Sequence, residues 1–183
     1  MTPRVFECRV VGKRQLSPDV FELTFDPGAP LDFRAGQFVS IEIPVAAGQL
    51  PLRRAYSIAS APGVFPVELC IQRLENGPGS NYLYQLEPGD VFCAHAPFGF
   101  FTFHPKPGRD CLFIATGTGV APFRSMVGSV DYRNSPPRRA VCLLGVRREA
   151  DLLYDAEFAR HPAVEWIPCL SRQEGTGAGR FSG

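Results

Sequence analysis

The octapeptide RRAYSIAS, residues 53–60, brings a guanidinium, a phenol and a hydroxyl close together in the chain. Side chains alternate along a strand, so Arg54 and Tyr56 share one face while Ala55 and Ser57 share the other. A guanidinium two residues from a tyrosine ring can clamp a diphosphate and cover a flat ring. A plain strand with an exposed arginine and a half-buried tyrosine accounts for the same residues. In NGPGSNYLYQL, residues 76–86, Gly77, Gly79 and Ser80 lead into an amphipathic helix. The unpaired N–H groups at such a start can hold an anion, and Ser80 adds a hydroxyl as N-cap or phosphate ligand. A capped helix after a tight loop is the simpler alternative.

IATGTGVAPFR, residues 114–124, carries an apolar strand into Thr116, Gly117, Thr118 and Gly119, whose backbone can approach a pyrophosphate closely. The pattern is that of a G-x-G-x-x-G turn, except that Pro122, after Ala121, stands where the third glycine belongs. Proline suits the first turn of a helix, where its missing N–H has no partner. What it gives up is the close strand–helix packing that the third glycine allows. In LSRQEG, residues 170–175, Ser171 and Arg172 lie beyond the carboxyl end of a strand, within reach of an adenosine ribose. Taken singly, each of these signals is weak.

The elements that must position these residues change character along the chain. RVFECRVVGKRQL, DVFELTFDP, QFVSIEIPV, AYSIAS and PVELCIQRL are short, β-branched and aromatic-rich runs separated by turns such as PGAP, FRAGQ and EPGD. Their spacing predicts a closed antiparallel barrel, with SNYLYQL, 80–86, as a helix inserted between two strands. Beyond KPGRD, 106–110, the pattern becomes strand CLFIAT, helix from about 122 to 130, strand AVCLLGV, helix DLLYDAEFARH and strand VEWIPCL. That alternation predicts a parallel sheet with right-handed crossovers. Two domains are expected, 1–105 and 106–183. A dinucleotide domain has five or six parallel strands, whereas three are read here before the loop EGTGAGRFSG, so the second domain is expected to be incomplete.

Composition narrows the function classes. A formal net charge of +1 gives no electrostatic case for nucleic acid or an anionic membrane. No apolar run reaches bilayer length, and MTPRVFECRV lacks a signal-peptide core, so a cytoplasmic protein is expected. Cys8, Cys70, Cys93, Cys111, Cys142 and Cys169 form no C-x-x-C pair, and five sit in apolar runs. Buried reduced thiols are expected in place of a disulfide framework, a zinc site or an iron–sulfur cluster. The three histidines form no cluster in sequence, and no metal site is expected.

In fixed order, R-x-Y-S, G-x-x-S before a helix, G-T-G-x-A-P-F and S-R resemble the ferredoxin–NADP+ reductase family. FRAGQFVSI, APFGFF and DLLYDAEF are similar to that family's F-x-x-G-Q-F strand, G-P-F-G turn and D-L-L-Y-x-x-E-F helix, and the likeness runs from about Val5 to Arg180. The resemblance implies a six-stranded antiparallel FAD-binding barrel followed by an α/β domain for NADPH or NADH. It also implies a flavoprotein oxidoreductase that moves a hydride between NAD(P)H and flavin N5. Electrons are then exchanged with a ferredoxin, a flavodoxin or an oxygenase component. The alternative it leaves is a flavin-binding electron-transfer module without independent turnover.

By position, the resemblance makes Arg54 the FAD pyrophosphate ligand, Tyr56 the cover of the isoalloxazine and Ser57 the hydroxyl near N5, with Ala55 between them. It places Cys70, Ile71 and Gln72 along the flavin, and Gly77, Gly79 and Ser80 at the FAD phosphates. Thr116, Gly117, Thr118 and Gly119 hold the nicotinamide nucleotide, with Ala121 and Pro122 behind them. Arg147 contacts its phosphates, and Ser171 and Arg172 grip a 2′-phosphate. Arg172, Arg147 and Arg148 favour NADP(H), while Glu149 leaves NAD(H) open. The family's later C-G-x-P motif and C-terminal aromatic are not in the chain, and GRFSG resembles the G-R-V-T loop before them, so a truncated chain is expected.

Overall fold

The computed structural model describes residues 2–46, 48–106 and 108–172 and the backbone of 181–182. The first six strands are β1 (Arg4–Ser17), β2 (Val20–Asp26), β3 (Phe38–Ile43), β4 (Leu52–Ser57), β5 (Val67–Gln72) and β6 (Val91–Phe98). They pair antiparallel in the order β4-β3-β6-β1-β2-β5. An antiparallel bridge between Ile58 and Leu69 joins the two edges, backed by the Ala59 N–H donating to the Glu68 carbonyl at 2.8 Å. The result is the expected six-stranded antiparallel barrel. Alternation drives it: Phe6, Cys8 and Val10 of β1 point inward with Leu23, Phe25, Ile41 and Leu69, all nearly free of solvent. Strand β6 was not marked by the residue pattern, and APFGFF, read as a turn, instead begins with its last residues.

Helix α1 (Pro78–Gln85) starts earlier than the expected 80–86, because Pro78 opens the first turn. Its far end is tied to the barrel by Lys13, whose Nζ donates to the carbonyls of Tyr84 at 2.6 Å and Leu86 at 2.8 Å. These are carbonyls that a helix leaves without internal partners.

Strands β7 (Asp110–Thr116), β8 (Arg139–Val146) and β9 (Glu165–Leu170) form the expected parallel sheet. A fourth strand, β10 (Phe181–Ser182), pairs parallel with β9 inside what the sequence suggests is a loop. The helix expected over 122–130 is divided. A 3-10 turn spans Gly117–Val120, α2 spans Ala121–Val127, and α3 (Val130–Asn134) begins anew where the Ser129 hydroxyl accepts from the Tyr132 N–H at 3.1 Å. DLLYDAEFARH is likewise not one helix. Only α4 (Asp155–Ala159) is helical, after a short 3-10 turn at Glu149–Asp151. Between them Tyr154 adopts φ 55°, a left-handed conformation that a continuous helix does not allow.

The reason for that break lies in the contact between the two sheets. Val20, Ala35, Ala59 and Cys70 of the barrel share one apolar cluster with Phe123, Met126, Val127, Leu153 and Tyr154. Within it the Tyr154 hydroxyl donates to Glu22 Oε2 at 3.1 Å, and Glu22, 3% exposed, also accepts from Arg14 at 2.9 Å. Arg124 of α2 lies 4.5 Å from the centre of the Tyr154 ring and donates to Glu68, to the Ala59 carbonyl at 3.2 Å and to Glu157 at 2.8 Å. Burial works against its charge, but the hydrogen bonds it donates to Glu68 and Glu157 prevail and raise its pKa. The Ser125 hydroxyl adds a bond to the Ser60 carbonyl at 2.7 Å. Gly36, at φ 98°, completes the approach. A Cβ there would lie 2.2 Å from the Phe101 carbonyl oxygen and 2.4 Å from Met126.

Two expectations follow from this packing. Replacing Arg124 by Met strands the Glu68 carboxylate and should lower the unfolding free energy by about 3 kcal/mol in urea titrations. Tyr154→Phe should cost about 1–2 kcal/mol. In alkali, burial pushes the thiols of Cys8, Cys70 and Cys142 up from 9.0 to about 12 in the fold. The folded state then holds protons that the unfolded chain releases. This stabilisation is complete below pH 9 and is lost as pH rises toward 12, by about 1.4 kcal/mol per pH unit for each thiol. Cys142→Ala should flatten the alkaline limb of a stability–pH curve.

Candidate functional site

Two cradles emerge, one on the barrel and one at the carboxyl ends of the parallel strands. In the barrel, β4 runs beside β3 so that Arg54 lies opposite Ile41 and Tyr56 opposite Val39. Tyr56 packs half-buried against the barrel core, and burial raises its phenol pKa while Arg54 opposes the shift, so the hydroxyl stays a neutral donor. Arg54 is exposed and forms no ion pair among the described residues. Its Nη1 reaches only the neighbouring Arg53 carbonyl, at 2.9 Å.

Helix α1 begins against this pair. A Cβ on Gly79 would stand 2.8 Å from both Arg54 Cγ and the Tyr56 hydroxyl, so a bare backbone is required there. Pro78 has no N–H, and the Asn81 N–H is taken by the Gly77 carbonyl at 3.0 Å. The N–H groups of Gly79 and Ser80 are the ones the first turn leaves unpaired. Ser80 itself is buried. Its hydroxyl accepts from the Leu74 N–H at 3.0 Å and donates to the Gly77 carbonyl at 3.2 Å, so the side chain braces the loop and only its N–H is available. Gly77, not Ser80, is the N-cap.

Ala55 and Ser57 occupy the other face of β4, with Ser57 opposite Phe38. On β5, Ile71 points into the barrel core and Cys70 into the cluster shared with the second sheet, so both can meet a ligand only through backbone atoms. Gln72, the next residue, turns outward and lines the second cradle.

That second cradle is a cleft of about 820 Å³. Because β7, β8 and β9 are parallel, their carboxyl ends open on one side and bring Thr116, Gly117 and Thr118 together with Arg147, Arg148, Ser171 and Arg172. The Ser171 N–H donates to the Val146 carbonyl at 3.0 Å and the Arg172 N–H to the Arg147 carbonyl at 2.8 Å, which sets Arg172 beside Arg147. Both guanidinium groups are exposed and have no ion-pair partner among the described residues. Gly117, at φ 48°, makes the turn that opens the cleft. Gly119, Ala121 and Pro122 do not line it; Ala121 and Pro122 are buried in the first turn of α2.

The barrel supplies the opposite wall through Ser17, Pro18 and Asp19 of the β1–β2 turn. No local motif marks these three, which reach the cleft only because the two sheets pack together. The unpaired N–H groups, the uncommitted Arg54 and the obligatory glycine fit a diphosphate-bearing cofactor. The three strand ends, with two arginines that form no ion pair among the described residues, fit a nucleotide. Among the described residues no helix is long and apolar enough to cross a membrane.

The family model for the oxidoreductase FAD-binding domain matches residues 7–103, and that for the oxidoreductase NAD-binding domain matches residues 113–180. Ferredoxin–NADP reductase B of Sorangium cellulosum is 44% identical over 84% of this chain and 63% of its own length. The phenol hydroxylase P5 protein of Acinetobacter pittii is 30% identical over 91% of this chain and 47% of its own. The chain thus spans about half to two thirds of these curated relatives. Among solved structures, the cytochrome P450 reductase of Amycolatopsis superposes with a TM-score of 0.85 at 28% identity, covering 99% of this chain and 55% of that one. With an FAD-binding barrel followed by an NAD-binding sheet, the chain belongs to the ferredoxin–NADP+ reductase family.

Proposed function

We propose that the chain is the flavin- and nucleotide-binding part of an NAD(P)H-dependent oxidoreductase, with the division between its two units at 105/106. The observation that carries this reading is convergence. Thr116, Gly117, Thr118, Arg147, Ser171 and Arg172 meet in one cleft whose far wall includes Gln72 of the barrel. A nucleotide seated there lies against the strand that also runs beside the flavin cradle.

In this reading Arg54 and the N–H groups of Gly79 and Ser80 hold the FAD diphosphate, and Gly77 shapes the turn that presents them. Tyr56 covers the flavin ring and donates its neutral hydroxyl to the ribityl chain. Ser57 offers its hydroxyl near N5, and Ala55, Cys70, Ile71 and Gln72 line the flavin. Thr116 to Gly119 admit the nicotinamide, Ala121 and Pro122 set the helix behind it, and Arg147 neutralises the nucleotide phosphates. Ser171 and Arg172 grip a 2′-phosphate, which favours NADPH over NADH. Bound FAD supplies a hydride acceptor that can pass electrons on singly or in pairs. The protein's part is to bind, orient and exclude water.

The electron partner is a separate redox protein, a ferredoxin, a flavodoxin or an oxygenase component, in a cytoplasmic setting. The names of the relatives support that class of partner. Six unbridged thiols suit a reducing compartment.

Purified chain supplied with FAD should be yellow and should bleach under anaerobic stopped flow with NADPH, more slowly with NADH. A chain that retains no flavin after FAD is added overturns the reading. A yellow chain that neither nucleotide reduces shows instead a module without turnover. Arg172→Ala should raise the dissociation constant for NADPH about 10- to 100-fold and leave NADH little changed, as loss of a charge-assisted hydrogen bond requires. Equal losses for both nucleotides would remove the 2′-phosphate role.

A further inference from the structure

On the outer wall of the barrel, away from the nucleotide cleft, β3 and β6 bring together three side chains far apart in sequence. Ile41 pairs with Ala94 and Ser40 with His95, which places Glu42, Cys93 and His95 as near neighbours on one face. One donor atom from each, a Glu42 carboxylate oxygen, Cys93 Sγ and a His95 ring nitrogen, lies within 4.8 Å of the other two. All three are partly sheltered, and Glu42 and Cys93 border a groove of about 390 Å³ with room for a solvent ligand.

The hydrogen bonding within the cluster is internally opposed. His95 Nε2 is 2.6 Å from Glu42 Oε1 and 3.0 Å from Arg53 Nη2. Toward the carboxylate that nitrogen must carry a proton, whereas toward the guanidinium it must present a lone pair, and it cannot do both. Arg53 Nη2 is also 3.1 Å from Glu42 Oε1, so a cation already rests against two of the three donors. Glu7 faces Cys93 from β1 and adds negative charge.

We propose that Glu42, Cys93 and His95 form a binding site for one zinc-class divalent cation, which takes the place of the Arg53 guanidinium. Sulfur, imidazole nitrogen and carboxylate oxygen are the donor types zinc accepts in tetrahedral sites, with water as the fourth ligand. The cation turns the Nε2 lone pair, the carboxylate and the sulfur toward one centre and so removes the conflict. Cys93 binds as thiolate, and its proton passes to solvent. The metal then clips β3 to β6. No motif spacing marks such a site, since its ligands come from neighbouring strands and not from a C-x-x-C pair.

Chelator-treated protein titrated with Co2+ tests this independently of flavin or nucleotide, by difference spectra against the same preparation. The expected result is a one-to-one thiolate-to-cobalt charge-transfer band with tetrahedral visible bands, displaced by Zn2+. Cys93→Ser should abolish the band, whereas Cys169→Ser, a thiol of similar exposure, should keep it. His95→Gln and Glu42→Gln should weaken binding by about tenfold or more, and Arg53→Ala should tighten it. Arg53 is half-exposed, and Glu42 and His95, though partly sheltered, lie outside both apolar core clusters, so these three remain informative if Cys93→Ser does not fold. Absence of a thiolate band, its persistence in Cys93→Ser, or unchanged affinity in both His95→Gln and Glu42→Gln would overturn the proposal.

Discussion

Arg124 is a partly buried cation whose carboxylate partners are divided between the two halves of the molecule. Glu68 comes from the barrel and Glu157 from α4, and the Tyr154 ring lies beside the guanidinium. Charge can be held there only if both halves supply their share, because an unpaired ion in that cluster is far costlier than the pair is favourable. The relative placement of barrel and sheet is thereby tied to one side chain. The Tyr154 hydroxyl and Glu22 extend the constraint to β2, and the Ser125 hydroxyl extends it to the loop after β4.

The cleft depends on that placement. Its floor is made by the carboxyl ends of three parallel strands, but its far wall is the β1–β2 turn and Gln72 of the barrel. Neither half encloses the space alone. The same interface explains the left-handed Tyr154. A continuous helix over DLLYDAEFARH would carry that ring with the helical repeat, whereas the backbone break delivers its hydroxyl to Glu22. A local conformational cost is offset by a buried hydrogen bond and by packing in the shared cluster.

Much of the architecture was legible because it rests on periodicity. Alternating apolar residues with Gly and Pro turns announce the barrel, and apolar runs alternating with helical stretches announce the parallel sheet. Arg54 and Tyr56 meet Gly79 at the start of α1, and Thr116, Gly117, Thr118, Arg147, Ser171 and Arg172 gather at the strand ends, while Gly119, Ala121 and Pro122 stay out of the cleft. What escaped was decided at a distance. VFCAHAPF mixes alanine, histidine and proline and shows little strand signal, yet it is held between β1 and β3. The Ser80 hydroxyl has the position of a phosphate ligand but is spent on Leu74 and Gly77. Phe181–Ser182 reads as loop and pairs with β9.

From residue types and spacing alone, the sequence determined the class of each half and the location of its glycine turns, since glycine freedom, strand alternation and helix-start chemistry are local properties. The tertiary structure alone decided which side chains are committed elsewhere and which remain free. Among the described residues Arg54, Arg147 and Arg172 form no ion pair, while Arg124 is held between two carboxylates. The physical reason is that a charge's role depends on its dielectric surroundings and its partners, and those are assembled from strands that lie far apart in the chain.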